Sequence, residues 1–194
     1  MIINEILTPL VNESSGYTLE GSYTQDLIAS KIWLLTELAR IAPTVGTVYV
    51  LGSWFGNLAV INQLDPTIKY KRLINVETDP EFLRASERIH DHMGIDKNEY
   101  MLKDANRIDY RQLGKDGVVI NTSLTDMSGI DWFERIPDDT LVIMQARDHD
   151  PGQQYRNTKD ITTRFPLSEI LYQGELELKD PQTSYTRYMV IGIK

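Results

Sequence analysis

The sequence predicts an α/β fold, a Rossmann-like doubly wound sheet, mostly parallel, with helices on both faces and one reversed strand at its end. Three observations predict it. Short apolar runs alternate with amphipathic stretches along nearly the whole chain. The stretches between runs are long enough for the right-handed crossovers that parallel neighbours require. The chain closes on two alternating runs around a Pro-Gln-Thr-Ser turn, which reads as a hairpin. With 194 residues, 41% hydrophobic and 25% charged, the chain fits one domain large enough to bury a core. No internal repeat or low-complexity tract divides it.

Each element has its own signal. Residues 24–42, TQDLIASKIWLLTELARIA, place Leu27, Ile28, Ile32, Leu34, Leu35, Leu38 and Ile41 at mostly helical spacing, with Thr24 as N-cap and Pro43 as stop. TVYVL, residues 47–51, is a buried strand, and NLAVINQL after Gly56 is a helix ending near Asp65 and Pro66. KRLINV, 71–76, is the second strand. DPEFLRASERIHDHMG opens on Asp79 as a cap with Pro80 at the first helical position and closes at Gly94. On this helix His90 and His92 stand two apart, point to different faces and read as surface residues. EYML (99–102) and GVVINT (117–122) are the third and fourth strands, DWFERI is a brief helix, and TLVIMQA (140–146) is the fifth strand. FPLSEILYQG, 165–174, predicts another helix, and ELELKDPQTSYTRYMVIGIK the closing hairpin.

Composition narrows the function classes. A net charge of −8 disfavours nucleic acid or an anionic membrane as the main partner. The absence of cysteine removes disulfides, thiolate zinc sites and cysteine nucleophiles. No apolar run reaches the ~18 residues that cross a bilayer, and the first residues lack a basic region followed by an apolar core. A cytoplasmic protein is expected.

The chemistry is expected beyond the carboxyl end of the first strand, where a doubly wound sheet binds its ligands. There the chain reads VLGSWFGNL. Gly52 allows a sharp exit from the strand, and Gly56 makes room for a ligand or for close approach to the following helix, whose free N–H groups can donate. Trp54 and Phe55 read either as caps on the core or as walls of the site. The second strand ends at Glu77, where a carboxylate can accept from both ribose hydroxyls of a nucleoside or simply stand in solvent; Asp79 is the helix cap. Asp104, after the third strand, can meet an adenine amino group or serve its own turn.

This pattern resembles the class I S-adenosylmethionine-dependent methyltransferases over residues 24–194. The resemblance implies seven strands in the order 3-2-1-4-5-7-6 with the last reversed, and S-adenosyl-L-methionine as cofactor. It implies that Gly52, Trp54 and Gly56 lie under the methionine part, that Glu77 holds the ribose and that Asp104 meets the adenine. The chain departs from the family in two places: Val50 or Leu51 stands where an acid usually ends the first strand, and Trp54 replaces the middle glycine. VYVLGSWFGNL, VINTSLTDM, WFERIP, VIMQARDHD and YTRYMVIGIK also resemble small methyltransferase-like proteins of tailed phages. That likeness implies a phage protein in a host cytoplasm.

The family places substrate groups after the fourth strand, here INTSLTDM. Asn121, Thr122 and Ser123 are candidates to orient an acceptor, or to satisfy the loop's own backbone. The prolines of the amino-methylating motif are missing, which disfavours a nucleobase. Asp126 and His149 are the candidate bases, with Gln145 beside the acceptor. Asp126, Asp148 and Asp150 lack fixed ligand spacing, so no metal is expected. Residues 1–23, with Tyr17 and Tyr23, form an N-terminal segment read as a lid. The methyl acceptor, small or macromolecular, has no sequence signature. Two other readings stand beside the enzyme: a non-catalytic binding or assembly protein that keeps the fold as a homo-oligomer, and a nicotinamide oxidoreductase, for which no G-x-G-x-x-G follows the first strand.

Overall fold

A computed structural model describes residues 19–148, 155–179 and 183–194. A short 3₁₀ turn, Leu19–Ser22, leads into helix α1, Gln25–Ile41. The alternation then runs β1 Thr44–Leu51, α2 Asn57–Leu64, β2 Lys69–Glu77, α3 Pro80–His92 and β3 Asn98–Leu102. It continues with β4 Val118–Asn121, α4 Asp131–Glu134, β5 Leu141–Arg147, α5 Thr158–Arg164, β6 Glu169–Lys179 and β7 Ser184–Ile193. The strands form one sheet in the order β3-β2-β1-β4-β5-β7-β6. β1, β2, β3, β4 and β5 pair in parallel, and β7 runs antiparallel to both β5 and β6.

Both faces of the sheet are covered, which is why β1 is buried along all but its first residue. One core joins α1, α2 and α3 to the sheet through Leu34, Leu38, Val60 and Ile89, with Val48 and Ile120 beneath them. The other face packs Trp132 and Phe133 of α4 against Phe165, Tyr49 and Tyr110. The parallel strands therefore all end on one edge of a rigid, two-sided slab, and the loops that leave them share that edge.

Two elements differ from expectation. Residues 165–174 are not a helix: Phe165 ends α5, and from Glu169 the chain is strand. Leu167, Ile170 and Leu171 have helical spacing, but β6 gains a ladder along β7 from Glu169↔Ile193 to Lys179↔Ser184. Its central residues, Tyr172, Gln173, Gly174 and Glu175, alternate between half-buried and exposed, the period of a strand with one covered face. The helix lies just before, in a polar stretch, because α5 buries only Ile161 and shows little apolar periodicity. Its signal is the cap, Asn157, whose side chain accepts from the Asp160 N–H at 3.0 Å. The tip of the terminal hairpin lies outside the described residues.

His90 is the second correction. It is fully buried on the inner face of α3, not at the surface, while His92 is exposed. Its Nε2 faces the Gly56 carbonyl at 3.1 Å and its Nδ1 faces the Tyr100 hydroxyl at 2.8 Å. Since a carbonyl only accepts, Nε2 carries the proton and Nδ1 accepts from the tyrosine, so the neutral ring is satisfied at both ends. Burial lowers its pKa below the ordinary 6.5, against the opposing pull of the Gly56 hydrogen bond. The folded pKa lies below the unfolded one, so the stability from His90 is full above about pH 6.5 and is lost as pH falls below it. Urea unfolding between about pH 7.5 and pH 5 is expected to show falling stability, with a shallower slope in His90→Gln.

Candidate functional site

A cleft of about 930 Å³ opens at the carboxyl ends of the parallel strands. It is within the range of small-ligand sites. Its middle is the turn after β1. Gly52 has φ +63°, and a Cβ there would press on Ser123 and Met127, so glycine lets the first loop lie against the loop after β4. Ser53 N–H donates back to the Val76 carbonyl at 3.0 Å, and its buried hydroxyl has no partner among the described residues.

Trp54 adopts φ +53°, a left-handed conformation that costs a non-glycine residue about 1–2 kcal/mol. Two contacts hold it there: its N–H donates to Glu77 Oε2 at 3.1 Å, and its ring meets Phe82 edge-on at 6.0 Å between centroids. The other aromatic, Phe55, is a core residue, 1% exposed and stacked against Phe82. Of the pair only Trp54 lines the cleft. The sequence leaves both readings open for these rings, and the structure gives one to each.

Glu77 ends β2 on the cleft wall. Its Oε1 accepts from the Thr78 N–H at 2.8 Å, with the Thr78 hydroxyl and the Asp79 N–H each at 3.4 Å, and its Oε2 accepts from Trp54, which fixes the carboxylate and leaves further acceptor capacity on Oε2. Asp104 also lines the cleft, and it caps the 3₁₀ turn Ala105–Arg107 by accepting from the Asn106 N–H at 2.9 Å. Beyond β4, Thr122, Ser123 and Asp126 complete this wall.

Other expected site residues are placed elsewhere. Asn121 is fully buried and outside the cleft lining; its Oδ1 accepts from the Ser123 N–H at 3.0 Å and its Nδ2 contacts Met127 Sδ at 3.2 Å. It shapes the loop and does not face an acceptor. Gln145 is also fully buried, exchanging hydrogen bonds with the Ser30 hydroxyl and carbonyl at 3.2 and 3.4 Å. That pairing ties β5 to α1. Gly56 does not line the cleft either, since the space of its missing side chain is filled by Ser86 and His90. Asp148 accepts from the Thr186 N–H at 2.9 Å. Tyr23 is a core residue, 4% exposed, while Gly21 and Thr24 beside it reach the cleft rim. Tyr17, His149 and Asp150 lie outside the described residues. Among the described residues no three His, Asp or Glu side chains gather to hold a metal ion. Among them, too, no helix is long and apolar enough to cross a membrane.

Sequence reasoning missed the far end of the cleft, lined by Asp26, Lys31, Arg147 and Arg187. Lys31 Nζ donates to Thr122 Oγ1 at 2.8 Å, and its pKa is driven well below the usual 10.5 by burial and by the charge of Arg187. Asp26 accepts from the Tyr185 hydroxyl and is 7% exposed. A signal did exist for Arg187. It occupies an inward position of β7, in line with buried Tyr185, Met189 and Ile191, where arginine is rare without a task.

No family model matches the chain, and no curated protein matches it. Solved structures do. An rRNA methylase from Streptococcus thermophilus superposes with a TM-score of 0.56 at 14% identity, covering 89% of this chain and 99% of its own. The N-methyltransferase NodS from Bradyrhizobium japonicum, in complex with S-adenosyl-L-homocysteine, gives 0.63 at 10% identity over 98% of this chain and 97% of its own. The N-terminal domain of EvdMO1 with the same ligand bound gives 0.61 at 14% identity over 99% and 94%. The fold is that of the methyltransferases. The strand order, with β7 reversed between β5 and β6, is the one the resemblance implied. At these identities the likeness carries the architecture alone.

Proposed function

We propose that this chain is an S-adenosylmethionine-dependent methyltransferase. The observation that carries the reading is Glu77: an oriented carboxylate at the end of β2, on the wall of a cleft that the turn after β1 and Asp104 also line. The residues fit the cofactor. Gly52 keeps the floor clear of a side chain, the Ser53 hydroxyl has a hydrogen bond to give, and Glu77 and Asp104 present acceptors to ribose and adenine. The S-adenosylhomocysteine-bound NodS and EvdMO1 structures share this architecture, which supports the choice of ligand.

The cofactor supplies a methyl group already activated on a sulfonium, so alignment is most of what the protein must provide. Thr122 and Ser123 would orient the acceptor beside β4, and Asp126, facing the same cleft, would receive a proton from an acceptor that must lose one. The lid expected of residues 1–23 falls mostly on residues 1–18, outside the described residues, while Gly21 lies at the cleft rim. The likeness to tailed-phage proteins remains a likeness of the named segments and leaves the acceptor open.

Titration calorimetry is expected to give dissociation constants in the micromolar range for S-adenosylmethionine and S-adenosylhomocysteine; no heat at about millimolar ligand removes the proposal. Trp54 at the middle glycine and Val50 and Leu51 in place of an acid favour a second reading, a fold kept for binding or assembly. It predicts no methyl transfer to any acceptor and a stable homo-oligomer in sedimentation.

A further inference from the structure

We infer that the far end of the cleft, where Arg187, Arg147 and Lys31 converge, is the anchoring site for an anionic group, carboxylate or phosphate, carried by the methyl acceptor. The inference rests on the methyl-transfer reading and names the substrate class for it.

Arg147 and Arg187 are direct cross-strand partners in the β5–β7 ladder, and both line the cleft. Like charges directly opposite each other on a sheet are destabilising. Arg187 is 6% exposed, its Nη1 reaches Gln145 Oε1 only at 3.5 Å, and its Nε has no partner among the described residues. A buried guanidinium with an unused donor costs stability unless something arrives to accept from it. Lys31, on the facing helix, spends one of its three N–H groups on Thr122. Among the described residues, the carboxylates Asp26 on α1 and Asp126 after β4 stand around the same space. One bound anion would accept from Arg187 Nε and separate the two guanidiniums.

Position argues against the cofactor's own carboxylate as the occupant. Arg187 stands three strands from β1 in the order β1-β4-β5-β7, about 14 Å at the usual spacing. The space between belongs to β4 and its loop, where the acceptor would lie. Burial first, and the charge of Arg187 second, lower the Lys31 pKa in the anion-free protein, and a bound anion would oppose that shift by favouring the charged amine.

The test is calorimetry on the full chain, with and without saturating S-adenosylhomocysteine, using sodium benzoate and inorganic phosphate in separate arms and two buffers of different ionisation enthalpy. At least one anion is expected to bind, with proton uptake somewhere across a pH series that Lys31→Met abolishes. Arg187→Gln is expected to weaken that anion at least roughly tenfold while leaving S-adenosylhomocysteine within about twofold. The arm that binds tells carboxylate from phosphate. Neither anion binding, or unchanged affinity in Arg187→Gln, overturns the inference. An equal loss for S-adenosylhomocysteine also overturns it, by giving Arg187 to the cofactor. An anion binding through Arg187 in a protein that never binds S-adenosylhomocysteine removes the methyl-transfer reading and leaves an anion site. The buffer comparison on unsubstituted protein needs no variant, so a folding failure of Arg187→Gln does not shelter the idea.

Discussion

Gly56→Ala is expected to destabilise the protein by about 3 kcal/mol. Gly56 has φ +70° and forms the non-helical start of α2. A left-handed alanine costs about 1–2 kcal/mol on its own account. The added Cβ would overlap Ser86 Oγ and His90 Nε2, and would stand 2.5 Å from His90 Cε1. The imidazole cannot retreat, because it is pinned between the Gly56 carbonyl and the Tyr100 hydroxyl. Overpacking of this kind adds about 1–3 kcal/mol. Thermal unfolding should drop by roughly 6–12 °C, at about 2–4 °C per kcal/mol for a domain of this size. Gly94→Ala is the control: it has φ +63° with nothing within 4 Å of the added carbon, so it should lose only the backbone part. Equal losses in the two variants would discard the packing account.

That glycine shows how far the sequence could be read. The spacing Gly52 to Gly56 between a buried run and a helix marked the turn, and the turn is there. Which glycine faces the ligand and which faces α3 depends on His90, a residue 34 positions away whose burial no local pattern declares. The central strands β1, β4 and β5 were legible because they are buried on both faces and read as continuous apolar runs. β6 was not, since an edge strand takes its ladder from one neighbour and carries charges outward; its apolar residues alone matched a helix. α5, burying one side chain, had too little periodicity to declare itself. The acids at strand ends, Glu77 and Asp104, could be placed on the cleft wall from sequence because the ends of parallel strands share an edge. Asn121 and Gln145 were assigned to the ligand because polar residues near that edge look alike in sequence, and only the Ser123 N–H and Ser30 show that their hydrogen bonds are already spent. The basic cluster comes from α1, β5 and β7 together, a meeting that topology makes and sequence order hides.

Glu77→Gln is expected to weaken S-adenosylhomocysteine about 100-fold, some 2.8 kcal/mol, and to lower stability by about 1 kcal/mol, since the amide nitrogen must face either the Trp54 or the Thr78 N–H. The carboxylate accepts from the Trp54 and Thr78 N–H groups, with the Thr78 hydroxyl and the Asp79 N–H also at 3.4 Å from Oε1, so the capacity it keeps lies on Oε2. Charge-assisted hydrogen bonds contribute about 1.5–3 kcal/mol each, and an amide keeps one acceptor oxygen while turning a donor toward one hydroxyl. Two effects must be told apart, because Glu77 also holds Trp54 in its left-handed turn, and a slackened turn would weaken any ligand. A double-mutant cycle separates them: wild type and Glu77→Gln are each titrated with S-adenosylhomocysteine and with its 2′,3′-dideoxy analogue. If the carboxylate grips the ribose, losing the hydroxyls costs the wild type most of the 100-fold and the variant almost nothing. If it serves only the turn, the analogue loses the same factor in both proteins, and the placement of the ribose against β2 is wrong.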